Sequence, residues 1–181
     1  MAQAPTLCHF ELALSHVDRG INETLSLRTA RHPSETAQRV WLRVLAYAWQ
    51  FCERIEFGPG LSDPDSPDLL ATNLVGETTL WMRVGKADPQ KVQRAADQNG
   101  NAKIAVLFES PERMRTFIDE AKGLTRLGRV ELGAADPELV AALAKDEERR
   151  SKATITIVGD HFYIEKDGAS FDGPIERASI V

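Results

Sequence analysis

Apolar and polar positions alternate at the start of the chain. Cys8, Phe10, Leu12 and Leu14 fall on one face and His9 and Glu11 on the other, which is the period of a half-buried strand. VDRG at 17–20 reads as a turn. Glu23 to Thr29 reads as a second strand with Leu25 and Leu27 inward, so the chain opens with a β-hairpin. The period then changes. Val40, Trp41, Val44, Leu45, Ala48, Phe51 and Cys52 recur at intervals of three and four, which predicts one long amphipathic helix from about Pro33 to Arg54. Pro33 suits its first turn, where no N–H is needed, and Glu35 falls near the positive end of the helix dipole. Glu35, Arg39 and Arg43, four apart, make a separate stripe on that helix.

IEFGPGLSDPDSP reads as a short strand followed by a Gly/Pro/Asp-rich loop. A strand is expected near Leu69 to Ala71, a turn at Gly76 and a strand from Thr78 to Val84, broken by Gly85. Asp88-Pro89 has the form of an N-cap followed by proline at the first helical position, with Val92, Ala95 and Ala96 as the apolar face. NGN at 99–101 is a turn, and KIAVLF is a continuous apolar run of the kind found in buried central strands. Ser110-Pro111 starts a helix to about Lys122, RVEL at 129–132 is a short strand, and Asp136-Pro137 caps a helix to about Arg149. ATITIV and HFYIE flank Gly159-Asp160 as a second hairpin, and the tail from Ala169 to Val181 adds an edge strand. Strand–helix–strand units between two hairpins predict a mixed α/β (α+β) fold in one domain, a mixed sheet flanked by helices.

Hydrophobic residues at 43% and charged residues at 27% are those of an ordinary globular domain. No apolar run approaches the roughly 20 residues of a membrane helix, and MAQAPTLCHFELAL lacks a basic leader region, so no membrane association and a cytoplasmic location are expected. Cys8 and Cys52 match no zinc or disulfide spacing and read as reduced core residues. A net charge of −5 works against generic, charge-driven nucleic-acid binding; a local basic groove or a bound cation would be required.

ARHPSET, LRVLAYA, the acidic loop before PDL, the strand LWMRVG with the Asp-containing helix start after it, and the late hairpin occur in an order that resembles the YaeQ family of bacterial proteins, over nearly the whole chain. The resemblance implies a compact variant of the restriction-endonuclease-like core, the PD-(D/E)XK nuclease fold: a helix, a β-meander, a second helix and a further strand. Carried onto this sequence, it implies Glu35 as the helical acid and Asp68, after Pro67, as the motif aspartate, the two holding Mg²⁺ or Mn²⁺. The strand position of the second acid holds Arg83, the motif lysine position holds Gly85, and Lys86 follows it. Arg31, His32, Arg43 and Arg83 would then contact substrate phosphate, with Asp68 and Lys86 catalytic.

The departures bear on the chemistry. Mg²⁺ takes hard carboxylate oxygens, activates water and stabilises the departing oxygen in phosphodiester hydrolysis. Arginine in place of a ligand acid exchanges a negative for a positive charge. Arg83 would either close the site on Asp68 or Glu35 or hold a phosphate without cutting. Each candidate also has a plainer reading: His32 as a turn residue, Arg39 as an i,i+4 partner of Glu35, Arg43 as a solvated helix residue, Asp68 as one of the loop aspartates with Asp63 and Asp65, and Trp41, Trp49 and Trp81 as core. Two functions therefore stand: a metal-dependent phosphodiesterase acting on nucleic acid, or a non-catalytic nucleic-acid- or protein-binding module with a degenerate site. The resemblance implies a fold and leaves that choice open.

Overall fold

The computed structural model describes residues 2–180; the first residue of the leader reading, Met1, and the last of the tail, Val181, lie outside them. The opening hairpin is longer than its alternation suggested, β1 being Thr6–His16 and β2 Ile21–Arg31, paired without a break. A 3₁₀ turn at Val17–Arg19 and Gly20 at φ 63° join them. Then come α1 (Ala37–Trp49), β3 (Ile55–Phe57), β4 (Leu69–Thr72), β5 (Thr78–Val84), α2 (Pro89–Gln98) and β6 (Lys103–Phe108). The chain continues through α3 (Pro111–Glu120), β7 (Glu131–Ala135), α4 (Pro137–Leu143), β8 (Arg150–Val158), β9 (His161–Lys166) and β10 (Ala169–Ala178).

Asp88, Ser110 and Asp136 each cap a helix with proline behind them, as their spacing predicts. The expected Pro33–Arg54 helix is shorter at both ends. RHPSE forms a turn, with the Glu35 N–H donating to the His32 carbonyl, and Thr36 is the N-cap, accepting from the Arg39 N–H at 3.2 Å. Pro33 therefore lies in the turn and not at the first helical position. At the other end Arg54 takes φ 64°, which a helix does not tolerate. Removing the Thr36 hydroxyl in Thr36→Ala is expected to lower stability by about 1 kcal/mol in chemical denaturation. The helix expected to reach Arg149 stops at Leu143, because the KDEERRSK segment turns at Glu147 and enters β8 at Arg150.

All ten strands form one mixed sheet in the order β2-β1-β8-β9-β10-β7-β6-β5-β4-β3. β1 runs parallel to β8, and β5, β6 and β7 run parallel to one another; the other pairs are antiparallel. The tail is no edge strand. The first part of β10 pairs with β9 and its last part, Ile175 to Ala178, with β7, so β10 joins the two halves of the sheet.

Inward side chains of β1 (Phe10, Leu12), β5 (Leu80, Met82) and β9 (Phe162, Ile164) share one core with α1. Strands far apart in the order thus meet on one helix, and the sheet wraps around it nearly as a barrel. From Val40 to Trp49 every residue of α1 is buried. The spacing predicts one apolar face; enclosure on all sides is what the wrapped sheet adds. α2 and α3 cover the opposite face of β5–β7 around Trp81, Ile104, Val106 and Phe117. All three tryptophans are core, and both cysteines are free, their thiol pKa values pushed up by burial.

Candidate functional site

A helix enclosed on every side cannot turn a polar stripe to water. Arg43, on the second turn of α1, is 0% exposed and the largest fully buried side chain. Its solvated reading is wrong for that reason. A buried guanidinium needs acceptors for its donors, and they come from the turn before the helix and from β2. Arg43 Nε donates to Glu35 Oε1 at 2.9 Å and Nη2 to Glu35 Oε2 at 3.0 Å, a two-pronged fork. Nη1 donates to Thr29 Oγ1 at 2.5 Å and Nη2 also reaches the Ala30 carbonyl at 3.0 Å.

Arg39, one turn earlier, joins the two acids. Its Nη1 donates to Glu35 Oε1 at 2.8 Å and its Nη2 to Asp68 Oδ1 at 2.7 Å. Burial works against its charge, but the carboxylates of Asp68 and Glu35 outweigh that and raise its pKa above the usual guanidinium value. Asp68, 1% exposed, sits just before β4 and accepts from the Val84 N–H through Oδ2 at 2.8 Å, tying the β4 entrance to the end of β5. Gly85 follows at φ 84°, and a side chain there would face the Arg39 guanidinium at 3.9 Å.

The fold therefore brings together Glu35, Asp68 and Arg43 of the expected residues, and adds Arg39. Arg83 lies beside them, its Nε 4.0 Å from Asp68 Oδ2, but its guanidinium is engaged by the Pro64 and Ser66 carbonyls of the acidic loop. It neither reaches Glu35 nor lies free for a phosphate. Arg31 donates from Nε to the Glu35 carbonyl at 2.8 Å and lies 3.7 Å from Glu147. His32 holds the turn: its Nδ1 lies 2.7 Å from Ser34 Oγ and its backbone N–H donates to Glu35 Oε2 at 3.2 Å. Lys86 is exposed and touches neither acid. Asp63 and Asp65 stay in the loop, Asp63 bonding Ser66 and Asp65 pairing with Lys91 at 2.7 Å.

Arg39 is the member that sequence reasoning undervalued. Its i,i+4 relation to Glu35 is visible, but nothing local says that the same fork crosses to Asp68.

This arrangement does not fit a divalent cation. All four oxygens of Glu35 and Asp68 already accept from a guanidinium or a backbone N–H. The charges are two carboxylates against Arg39 and Arg43, with Arg83 beside them. A cation would have to displace the buried Arg43 and the half-buried Arg39 rather than water. Among the described residues no group of three or more His, Cys, Asp or Glu is placed to hold a metal ion, and no helix is long and apolar enough to cross a membrane.

Fold and site together define a mixed α+β protein whose wrapped sheet encloses a helix carrying an internal arginine–carboxylate lock. A family model described as YaeQ protein matches residues 1–173, and the chain belongs to the YaeQ family. It is 34% identical over 98 residues to uncharacterised YaeQ proteins of Salmonella typhi and Escherichia coli (strain K12). The aligned part spans 54% of this chain and 54% of each relative, about half their length. Over whole chains it resembles two crystal structures. The YaeQ protein of Xanthomonas axonopodis pv. citri matches with TM-score 0.87 and 28% identity, over 99% of this chain and 100% of that one. The YaeQ protein of Pseudomonas syringae matches with TM-score 0.85 and 29% identity, over 98% of each.

Proposed function

We propose that this chain is a non-catalytic binding module that keeps the order of elements of a restriction-endonuclease-like core, with its acid pair turned into an internal lock. The order supports that kinship: α1, the antiparallel meander β3–β4–β5, then α2, then β6 parallel to β5. The observation that carries the reading is the saturation of Glu35 and Asp68 by Arg39, Arg43 and backbone N–H groups. Arg83 and Gly85, at the positions of the second acid and the motif lysine, point the same way.

The lock sets the shape of what lies outside it. Lys86, Lys91 and Lys122 line a cavity of about 670 Å³ at the start of α2, together with Arg83, whose guanidinium is held by the acidic loop, and with Asp88 and Glu120. Lys91 and Lys122 have acidic partners, Asp65 and Asp119, whereas Lys86 has no ion-pair partner among the described residues. This mouth suits nucleic-acid phosphate, bound at a few points against a chain of net charge −5.

Labelled single-stranded, duplex and branched DNA and RNA, incubated with Mg²⁺ or Mn²⁺, are expected to remain uncut. Binding followed by anisotropy should appear at low salt, with a shallow salt slope of about 2 to 3. The pair K86E and K122E should lower that slope by about 1 to 2. Metal-dependent cleavage that disappears in Asp68→Ala would instead establish the phosphodiesterase. Equal binding by the lysine variants would remove the mouth from the reading.

A further inference from the structure

The C-terminal end of α1, a helix about 20 Å long, carries a second polar assembly with no place in the nuclease-like pattern. Here the β1–β2 turn, the residue after α1, the starts of β6 and β7, the β8–β9 turn and the end of β10 surround a cavity of about 230 Å³. His16 and Gln50 stand in its wall, 6% and 4% exposed. His16 Nδ1 is sealed from bulk solvent and has no hydrogen-bond partner among the described residues. Gln50 lines the same cavity. Buried polar atoms in folded proteins are nearly always bonded, so an unbonded imidazole nitrogen in the wall of a cavity calls for an explanation.

The charges nearby indicate what kind. Arg19, Lys103 and Arg177 line the same space. Arg19 donates to the Trp49 and Phe51 carbonyls at 3.5 and 2.6 Å, which caps the negative end of α1, and no carboxylate pairs with it among the described residues. Lys103 and Arg177 share Glu131 at 2.7 and 3.4 Å, and Arg177 also pairs with Asp160 at 2.6 Å. Asp18 directs Oδ2 to the Gly159 N–H at 2.6 Å. Burial first, and then the Arg19 guanidinium, hold the His16 pKa below its usual value; Asp18 opposes this, and Arg177 and Lys103 reinforce it. The imidazole is thus biased toward its neutral form, and of the three cations around it Arg19 alone faces the cavity without a carboxylate partner among the described residues, since Glu131 and Asp160 take Lys103 and Arg177.

We infer that this cavity binds a small oxyanion, the phosphate or carboxylate group of a small molecule, with His16 and Gln50 as buried neutral donors and Arg19, Lys103 and Arg177 supplying the charge. Its volume admits a metabolite-sized group and no macromolecule. The inference is independent of the nucleic-acid reading.

The full-length protein, with its histidine ring nitrogens followed by NMR, tests it. Inorganic phosphate and acetate are titrated separately, beside chloride at matched ionic strength and urea as a neutral polar control. The expected result is a saturable shift of the His16 resonances with at least one oxyanion and a rise of its titration midpoint, by linkage to the bound charge. The half-exposed Lys103 permits a variant that keeps the fold, and Lys103→Gln should weaken the response at least about fivefold. A stronger response to phosphate assigns a phosphate-bearing ligand, and a stronger one to acetate a carboxylate. No saturable shift, the same shift with chloride or urea, or unchanged affinity in Lys103→Gln overturns the inference.

Discussion

Replacing Glu35 with alanine is expected to destabilise the protein by about 3–5 kcal/mol, the range for stripping one partner from a buried ion pair. The magnitude follows from what is left behind. Arg43 keeps Thr29 Oγ1 and the Ala30 carbonyl but loses both acceptors of its fork. Arg39 loses one of its two carboxylates and the His32 N–H loses its acceptor. Arg43 is fully enclosed, so water cannot replace the lost oxygens without opening the sheet around α1. Against a typical total of about 5–15 kcal/mol, such a loss leaves a protein that unfolds at low urea. Replacing both partners with apolar residues, Glu35→Leu with Arg43→Met, should recover most of the loss, because no buried charge then lacks a partner. Urea denaturation of the parent and the two variants measures this. A Glu35→Ala midpoint within about 1 kcal/mol of the parent would mean that Arg43 finds another acceptor, and the lock would lose its structural role.

The lock also shows how far local pattern reaches. The alternation in β1, the cap-and-proline starts of α2, α3 and α4 and the apolar run of β6 all act over a few residues, and each was readable in the sequence. What failed depends on distant strands. A stripe of Glu35, Arg39 and Arg43 on a helix with one apolar face reads as solvent-facing. It becomes interior only because β10, itself mistaken for an edge, bridges β9 and β7 and closes the sheet around the helix. The helix expected to run to about Arg149 stops short because the strand that follows it pairs Arg150 and Ser151 with His9 and Phe10 of β1, at the other end of the chain. Glu35 and Asp68 were reached through family resemblance. Their engagement by Arg39 was not, since it needs the β4 entrance to lie against the first turn of α1. The His16 cavity had no signal at all: it is assembled from six separate segments, and none carries a motif.

Glycine 58 is expected to be the least replaceable glycine. A Cβ built there would lie 2.0 Å from the Pro67 carbonyl oxygen, and its nearest neighbours are all backbone atoms of Pro67 and Asp68. No side chain can swing aside, so Gly58→Ala must push the Pro67–Asp68 peptide away from the end of β3. That movement stretches the 2.8 Å hydrogen bond from the Gly58 N–H to the Asp68 carbonyl, and it carries the Asp68 carboxylate off Arg39 and the Val84 N–H. Overpacking alone costs about 1–3 kcal/mol, and the loosened Asp68 adds to it. Gly100→Ala is the control, with nothing within 4 Å of its Cβ, and should stay within about 0.5 kcal/mol of the parent. The contribution through Asp68 is separable. In an Asp68→Asn background the carboxylate's charge is already gone, so Gly58→Ala should cost less there than in the parent, a coupling of about 0.5–3 kcal/mol. Equal costs in both backgrounds would confine the role of Gly58 to the close approach of two backbone segments. A smaller cost with Asp68→Asn would make it the residue whose missing side chain lets the motif aspartate reach its arginine.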